Sequence, residues 1–554
     1  MTTAADELLD LLAREPAPTR DRLRALNTTV SRRWRAPLQR CDVLLAAYRR
    51  QVRDGGRAPS ATLEQVLQLN RTRTVSGVTT VTVLTKPYAC PGRCVYCPTQ
   101  RTAPKSYLDN EPAVLRAIRH RYDPYDQVRG RLDALTNTGH PTQKIELIVK
   151  GGTWSFYPEP YQRWFIERCF EAANENGTGS LFSKAPGQNE NRYHFHDVSW
   201  EPLVAAQRDN ETATHRLIGI TIETRPDYVT LAEVARLRRL GVTRVEIGVQ
   251  HLDERVLVLT QRDHTTREIA EATRLLKDAG LKVAYHMMPN LPGSTPALDR
   301  WAFEELFANP AYRPDTLKIY PCSVVQEAEL YDWWRAGRYA PYTTEELTEL
   351  LVDLKRAVPP YARIERVIRD IPSTSILAGN TATNLREVVA RRMRARGLRC
   401  QCIRCREIRD AAHATHLRLA RRDYDASGGR EVFLSWEDAD DRLYALLRLR
   451  RTATNQARVR ELHTYGPSLA VDDHAPQATQ HRGLGRALLA EAERVAREEW
   501  RYARITVTSG VGVRVYYRRL GYVLDGADMV KRISVPGTER VQCILTSAST
   551  VAVS

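Results

Sequence analysis

Leu84–Gln100 reads LTKPYACPGRCVYCPTQ and packs three of the chain's ten cysteines into eight residues. Cys90, Cys94 and Cys97 have the spacing C-x3-C-x2-C, straight after the β-rich run VTTVTVLTK (78–86). A structural zinc site wants four protein ligands, and no nearby Cys or His supplies the fourth. A catalytic zinc held by three thiolates is one alternative. An iron–sulfur cluster is the other, because three cysteines leave one iron open to a small molecule.

The sequence beyond the loop bears on that choice. It holds five more β-rich runs: KIELIVK (144–150), RLIGITIET (216–224), RVEIGVQ (244–250), KVAYHMMP (282–289) and TLKIYP (316–321). Helical stretches such as LAEVARLRRLG and REIAEATRLLKDAG lie between some of them. Repeated strand–helix units predict parallel strands with helical crossovers. Six units suit a partial TIM-like (β/α)6 barrel better than a doubly wound sheet. Their ends carry, in order, the cysteines, Gly151–Thr153, Glu223–Asp227, Gln250 with His251, Pro289–Gly293 and Tyr320–Cys322. Polar, Gly- and Cys-bearing residues at successive strand ends predict one shared pocket.

The rest of the chain differs in kind. With 554 residues, two to four domains are expected. The formal charge of +17, dominated by arginine, suits a polyanion. Residues 1–75 read as amphipathic helices carrying Arg32, Arg33, Arg35, Arg40, Arg49, Arg50 and Arg53, with Trp34 and Tyr48 interleaved. A solvated face would explain the charge alone; the aromatics favour an RNA-facing surface. We divide the chain into this basic region (1–75), the barrel (76–370), an Arg/Cys-rich metal-binding linker (371–410), an α+β domain (411–531) and a tail (532–554). Residues 175–215 read as a loop insertion. No run of eighteen apolar residues is present and the first ten residues are acidic, so a soluble cytoplasmic protein without membrane contact is expected.

Two more clusters stand out. Gln480-x-x-Gly483-x-Gly485 lies between RELHTYG and a helical stretch, where glycines let backbone amides approach a pyrophosphate. Cys400, Cys402 and Cys405 form C-x-C-x2-C at the join of the two halves. A second iron–sulfur cluster or a structural zinc would fit, with Cys322 or a histidine completing a zinc site.

The first loop, its aromatic Tyr96 and the strand series resemble the radical S-adenosylmethionine superfamily. That resemblance implies a 4Fe-4S cluster on Cys90, Cys94 and Cys97, with S-adenosylmethionine met by Gly151, Gly152, Thr153, Glu223, Arg225 and Gln250. The order of QHRGLGRALLAEAERVAREEW, RITVTSG and YYRRLGY resembles the GNAT acetyltransferases, which implies acetyl-CoA bound at Gln480, Gly483 and Gly485, with Tyr517 protonating the leaving thiolate. Together with GITIETRPDY, VEIGVQH, DAGLKVAYHMMPNLPG and SGVGVRVYYRRLGY, the pairing resembles the tRNA uridine(34) acetyltransferase family, to which the catalytic subunit of Elongator belongs. The resemblance implies conversion of the wobble uridine to 5-carboxymethyluridine through an acetyl radical drawn from acetyl-CoA. It carries acetyl-CoA contacts onto Lys144, Glu461, Leu462, His463, Thr464, Leu484, Gly485, Arg486 and Tyr517, and tRNA, through its anticodon stem-loop, onto the basic helices. Eukaryotic members space the first two cluster cysteines much wider and lack the Cys400, Cys402 and Cys405 set. A bacterial or archaeal type is therefore implied, working without other Elongator subunits but with an electron donor; a homodimer is left open. A lysine acetyltransferase and an inactive tRNA-binding scaffold are the competing readings.

Overall fold

The computed structural model describes residues 3–68, 74, 76–175, 199–409, 416–452, 456–466 and 483–534. Seven parallel strands, in sequence order, form the barrel sheet: β1 Thr79–Leu84, β2 Lys144–Lys150, β3 Arg216–Thr224, β4 Arg244–Gln250, β5 Lys282–Met287, β6 Thr316–Ile319 and β7 Arg363–Arg366. The last extends the six expected. RIER offers a single fully buried apolar residue, Ile364, too little to announce a strand on its own.

Alternation along the strands decides what the barrel holds. On β2, Ile145, Leu147 and Val149 are buried, while Lys144, Glu146, Ile148 and Lys150 are only half-buried. The apolar set joins the core under the outer helices, including Phe165 and Ile166 of Glu159–Asn174. Glu146, Ile148 and Lys150, with Thr80 and Thr82 of β1, line an interior cavity instead. A barrel whose inward positions are polar stays open, whereas one lined by branched apolar residues packs solid.

A second, mixed sheet is built from the remaining strands: β8 Arg418–Ala426, β9 Gly429–Glu437, β10 Leu443–Arg451, β11 Ala457–Thr464, β12 Arg504–Val507, β13 Val523–Asp525 and β14 Asp528–Arg532. Its order is β13-β14-β12-β11-β10-β9-β8, with β11 and β12 parallel and the other neighbours antiparallel. The helix Leu484–Arg494 buries Leu488, Leu489 and Ala492 in this sheet's own core. The amino-terminal helices Ala4–Ala13, Arg20–Trp34, Cys41–Arg53 and Ala61–Leu67 share a third core, which includes Leu8, Leu26, Leu45 and Tyr48. Among the described residues no helix is long and apolar enough to cross a membrane.

Buried ion pairs join the two sheets. Asp315, just before β6, accepts from Arg460 of β11 at 2.7 and 2.9 Å. Glu461 accepts from Arg448 of β10 at 2.8 Å and from Lys282 of β5 at 3.3 Å. Against the opposing effect of burial, Arg460 and Lys277 hold the Asp315 carboxyl far below the usual range. Such pairs fix register, and removing one partner leaves an uncompensated buried charge.

Part of the expected insertion is helical. Glu201–Asn210 starts with Pro at its first turn and buries Leu203, Ala206, Gln207 and Asn210, a helical spacing. Residues 176–198 lie outside the described residues.

Candidate active site

The three-cysteine loop sits at the carboxyl end of the barrel, held by backbone bonds from Val95 N to Thr260 O (3.2 Å) and from Leu330 N to Val95 O (2.8 Å). Cys94 is buried, and Cys90 and Cys97 are half-buried. A hydrogen bond with Cys97, and after it the Arg262 cation, hold the Cys94 thiol well below its ordinary range. Thiolate character is what a metal ligand requires.

The predicted ligand-binding residues gather around this loop. Cys90 Sγ lies 3.6 Å from the Thr153 hydroxyl. Glu223 accepts the Gly151 and Gly152 amides at 3.0 and 3.5 Å and the Tyr107 hydroxyl as well. Gly151 has φ +145° and stands against Thr85, where a side chain would collide. Gln250 closes β4 in the left-handed region, φ 69°, and among the described residues its buried Oε1 has no partner. Arg225 is tied to Asp227 at 2.9 Å, yet its buried Nη1, against Gly92, has no partner among the described residues. Three thiols with two orphaned buried polar groups beside them fit an anionic cluster and a polar ligand on its open iron.

The pocket of Cys90, Thr153, Arg225 and Gln250 opens into the barrel. Tyr107, Glu111, Lys150, Arg366 and Asp370 line both it and a larger cavity of about 790 Å3. Lys150, a chamber-facing residue that strand alternation alone could have flagged, has its pKa lowered to about 8 by burial and then by Lys318. The chamber's other end is the mixed sheet: Glu461, Leu462, His463, Ser509, Gly510 and Tyr517 line it. His463 Nε2 donates to Ser76 O at 2.8 Å. Tyr517 packs edge-on against Tyr516 and Tyr522, and burial raises its pKa far above that of a free phenol, keeping it protonated. Gly483, φ 77°, caps the helix Leu484–Arg494, and Gly485 lies near Thr464 and the Tyr516 hydroxyl. Burial raises the Tyr516 pKa, and Arg486 lies near enough to oppose that rise. Gln480 lies outside the described residues. Lys144, at the amino end of β2, does not line the chamber; burial and then Arg216 lower its pKa to about 8.

The second cysteine cluster is separate. The sulfurs of Cys400, Cys402 and Cys405 lie within 4.8 Å of one another, so three thiolates could hold one ion. Cys322 does not join them. Its thiol is buried beside Tyr339 in another apolar cluster, with Val324 and Leu330, and burial pushes it up to about 12. That corrects its assignment as the fourth ligand: a strand-end position fixes the end of the barrel, not the direction in which the side chain leaves it.

Comparison with known proteins agrees with this geometry. The radical SAM superfamily model matches residues 84–300, and the radical SAM C-terminal domain model matches 314–395. The tRNA uridine(34) acetyltransferase of Dehalococcoides mccartyi is 45% identical over 83% of this chain and 99% of its own length. The chain belongs to the tRNA uridine(34) acetyltransferase family. Elongator complex protein 3 of Schizosaccharomyces pombe is 41% identical over 85% of this chain and 87% of its own length. A solved structure of the archaeal Methanocaldococcus infernus Elp3, lacking residues 1–46, superposes with a TM-score of 0.69 at 40% identity, covering 83% of this chain and all of that one. Membership in this family makes the chain a tRNA-modifying enzyme whose radical SAM domain implies a 4Fe-4S cluster and S-adenosylmethionine.

Proposed function

We propose that the protein converts the wobble uridine of tRNA to 5-carboxymethyluridine, drawing the two-carbon unit from acetyl-CoA. The chamber carries this reading: it runs from the cysteine pocket to the mixed sheet, and two independent enzymes would not need a common cavity. When bound, the cluster and S-adenosylmethionine supply one-electron cleavage that starts hydrogen abstraction from an acetyl methyl group. The chain's residues do the rest. Gln250 Oε1 and Arg225 Nη1 are free to hold the polar groups of S-adenosylmethionine. Gly483 and Gly485 put no side chain of their own at the start of their helix, which suits a pyrophosphate, the GNAT arrangement. Tyr517, kept protonated by burial, holds a proton for the departing thiolate. The Glu461, Lys282 and Arg448 pairs keep the chamber floor rigid.

Arg32, Arg35 and Arg50 are exposed on or at the end of the amino-terminal helices and, among the described residues, form no ion pair within 4 Å of a carboxylate, although Arg50 acts on Asp6 from farther off; Arg33 pairs with Glu7. They supply the tRNA surface, with phosphates as partners. Cys400, Cys402 and Cys405 hold a structural zinc next to the join of the two sheets. An external reductant feeds the cluster.

The test is direct. Anaerobically reduced, cluster-loaded protein with S-adenosylmethionine, acetyl-CoA and unmodified tRNA is expected to yield 5-carboxymethyluridine in the nucleoside digest. Acetyl-lysine on protein with unmodified tRNA would favour a lysine acetyltransferase; tRNA binding with neither product would leave a scaffold.

A further inference from the structure

Arginines crowd the cysteine pocket, and they are not equivalent. Arg225 pairs with Asp227 at 2.9 Å, and Arg369 lies 3.6 Å from Glu111. Arg262 is 6% exposed and, among the described residues, has no carboxylate within ion-pair distance. Its Nη1 donates to Cys94 Sγ at 3.4 Å and its Nη2 to Gly248 O at 2.5 Å; its buried Nε has no partner among the described residues. A lone buried cation costs several kcal/mol unless an anion answers it.

The surroundings are built to hold it there. A Cβ at Gly248 would come within 2.5 Å of Nη2 and 3.5 Å of Cζ, so β4 lacks a side chain where the guanidinium crosses it. The Arg262 carbonyl accepts from Arg225 Nη2 at 3.0 Å, and two residues earlier Thr260 O accepts from Val95 N of the cysteine loop. The segment carrying the cation is thus bonded to the loop it faces.

We propose that Arg262 is the built-in counter-charge of the cluster held by Cys90, Cys94 and Cys97, and that it sets the cluster's reduction potential. Reduction adds a negative charge to the cluster, and a fixed cation with an N–H donated to a ligand sulfur favours the more negative state. Arg262 is a positioning residue: it touches a ligand, not substrate. The inference rests on the cluster assignment alone, so it stands or falls independently of the tRNA reaction.

The experiment is a redox titration of the full-length, reconstituted protein, monitored by electron paramagnetic resonance without tRNA or acetyl-CoA. R262Q, which keeps a donor and loses the charge, is expected to lower the midpoint by at least 59 mV, a tenfold smaller reduced-to-oxidised ratio at fixed potential for a one-electron couple. R262K, which keeps the charge, is expected to move less than half as far. An R262Q protein with full iron and an unshifted midpoint overturns the proposal, because a residue that merely braces the loop would not change the potential. Unsubstituted protein labelled with 15N-arginine covers the case in which R262Q takes up no iron. Its reduced cluster is expected to show a 15N hyperfine coupling that R262K abolishes, and absence of that coupling in the unsubstituted protein overturns the proposal.

Discussion

Cys90, Cys94 and Cys97 and the set Cys400, Cys402 and Cys405 offer the same number of thiols at nearly the same spacing, yet their settings differ. The first looks into a pocket with unpartnered Arg225 Nη1 and Gln250 Oε1 and a lone buried guanidinium. The second lies between the last barrel strand and the mixed sheet: Ile403 N donates to Ala362 O and Ile408 N to Leu443 O, and Cys405 is exposed. Ligand count separates neither from the other. What surrounds the ligands does: open polar space for one, backbone clamps for the other.

The sharpest way to break this contrast is to remove one cysteine from each. Cys97→Ala is expected to abolish 5′-deoxyadenosine formation, at least a thousandfold loss or about 4 kcal/mol of barrier. Tyr517→Phe, which spares both cysteine sets, is expected to leave 5′-deoxyadenosine formation intact while lowering carboxymethyluridine yield about a hundredfold. An equal fall in both would mean that Tyr517 only packs. Reversing Arg32, Arg35 and Arg50 to Glu is expected to weaken tRNA binding and flatten its salt dependence, the log–log slope falling by roughly 0.7–0.9 for each lost phosphate contact. Unchanged filter-binding isotherms across salt would remove these helices from the interface. Cys402→Ser is the mildest: 5′-deoxyadenosine formation is expected to hold within about threefold, with a melting midpoint lowered by roughly 5–10 °C as the clamp is lost. If it instead stops radical formation, the two clusters are not distinct in role.

The legible parts of the fold were those where one side of a strand is apolar and its end is chemically odd. β1 to β6 announce themselves this way, and Gly151, Glu223 and Gln250 lie together as strand-end polarity requires. β7 was hidden because three of its four residues are charged. The helix Glu201–Asn210 was missed inside a polar stretch, although Pro202 and the spacing of Leu203, Ala206 and Asn210 carried its signal. Arg262 could not be singled out: QRDH between two helices is an ordinary polar turn until the structure lays it across Gly248. Cys322 misled for the opposite reason, being a cysteine at a strand end whose side chain turns toward Tyr339. Sequence marks which residues reach the end of the barrel. Packing decides which of them face one another.

One measurement bears most directly on whether both halves serve a single reaction. Cluster-loaded, reduced protein is given S-adenosylmethionine, methyl-trideuterated acetyl-CoA and tRNA, and the 5′-deoxyadenosine is weighed by mass spectrometry. One chamber joining the two sites predicts 5′-deoxyadenosine carrying one deuterium, formed together with carboxymethyluridine. Unlabelled 5′-deoxyadenosine from the same fully loaded protein would contradict it.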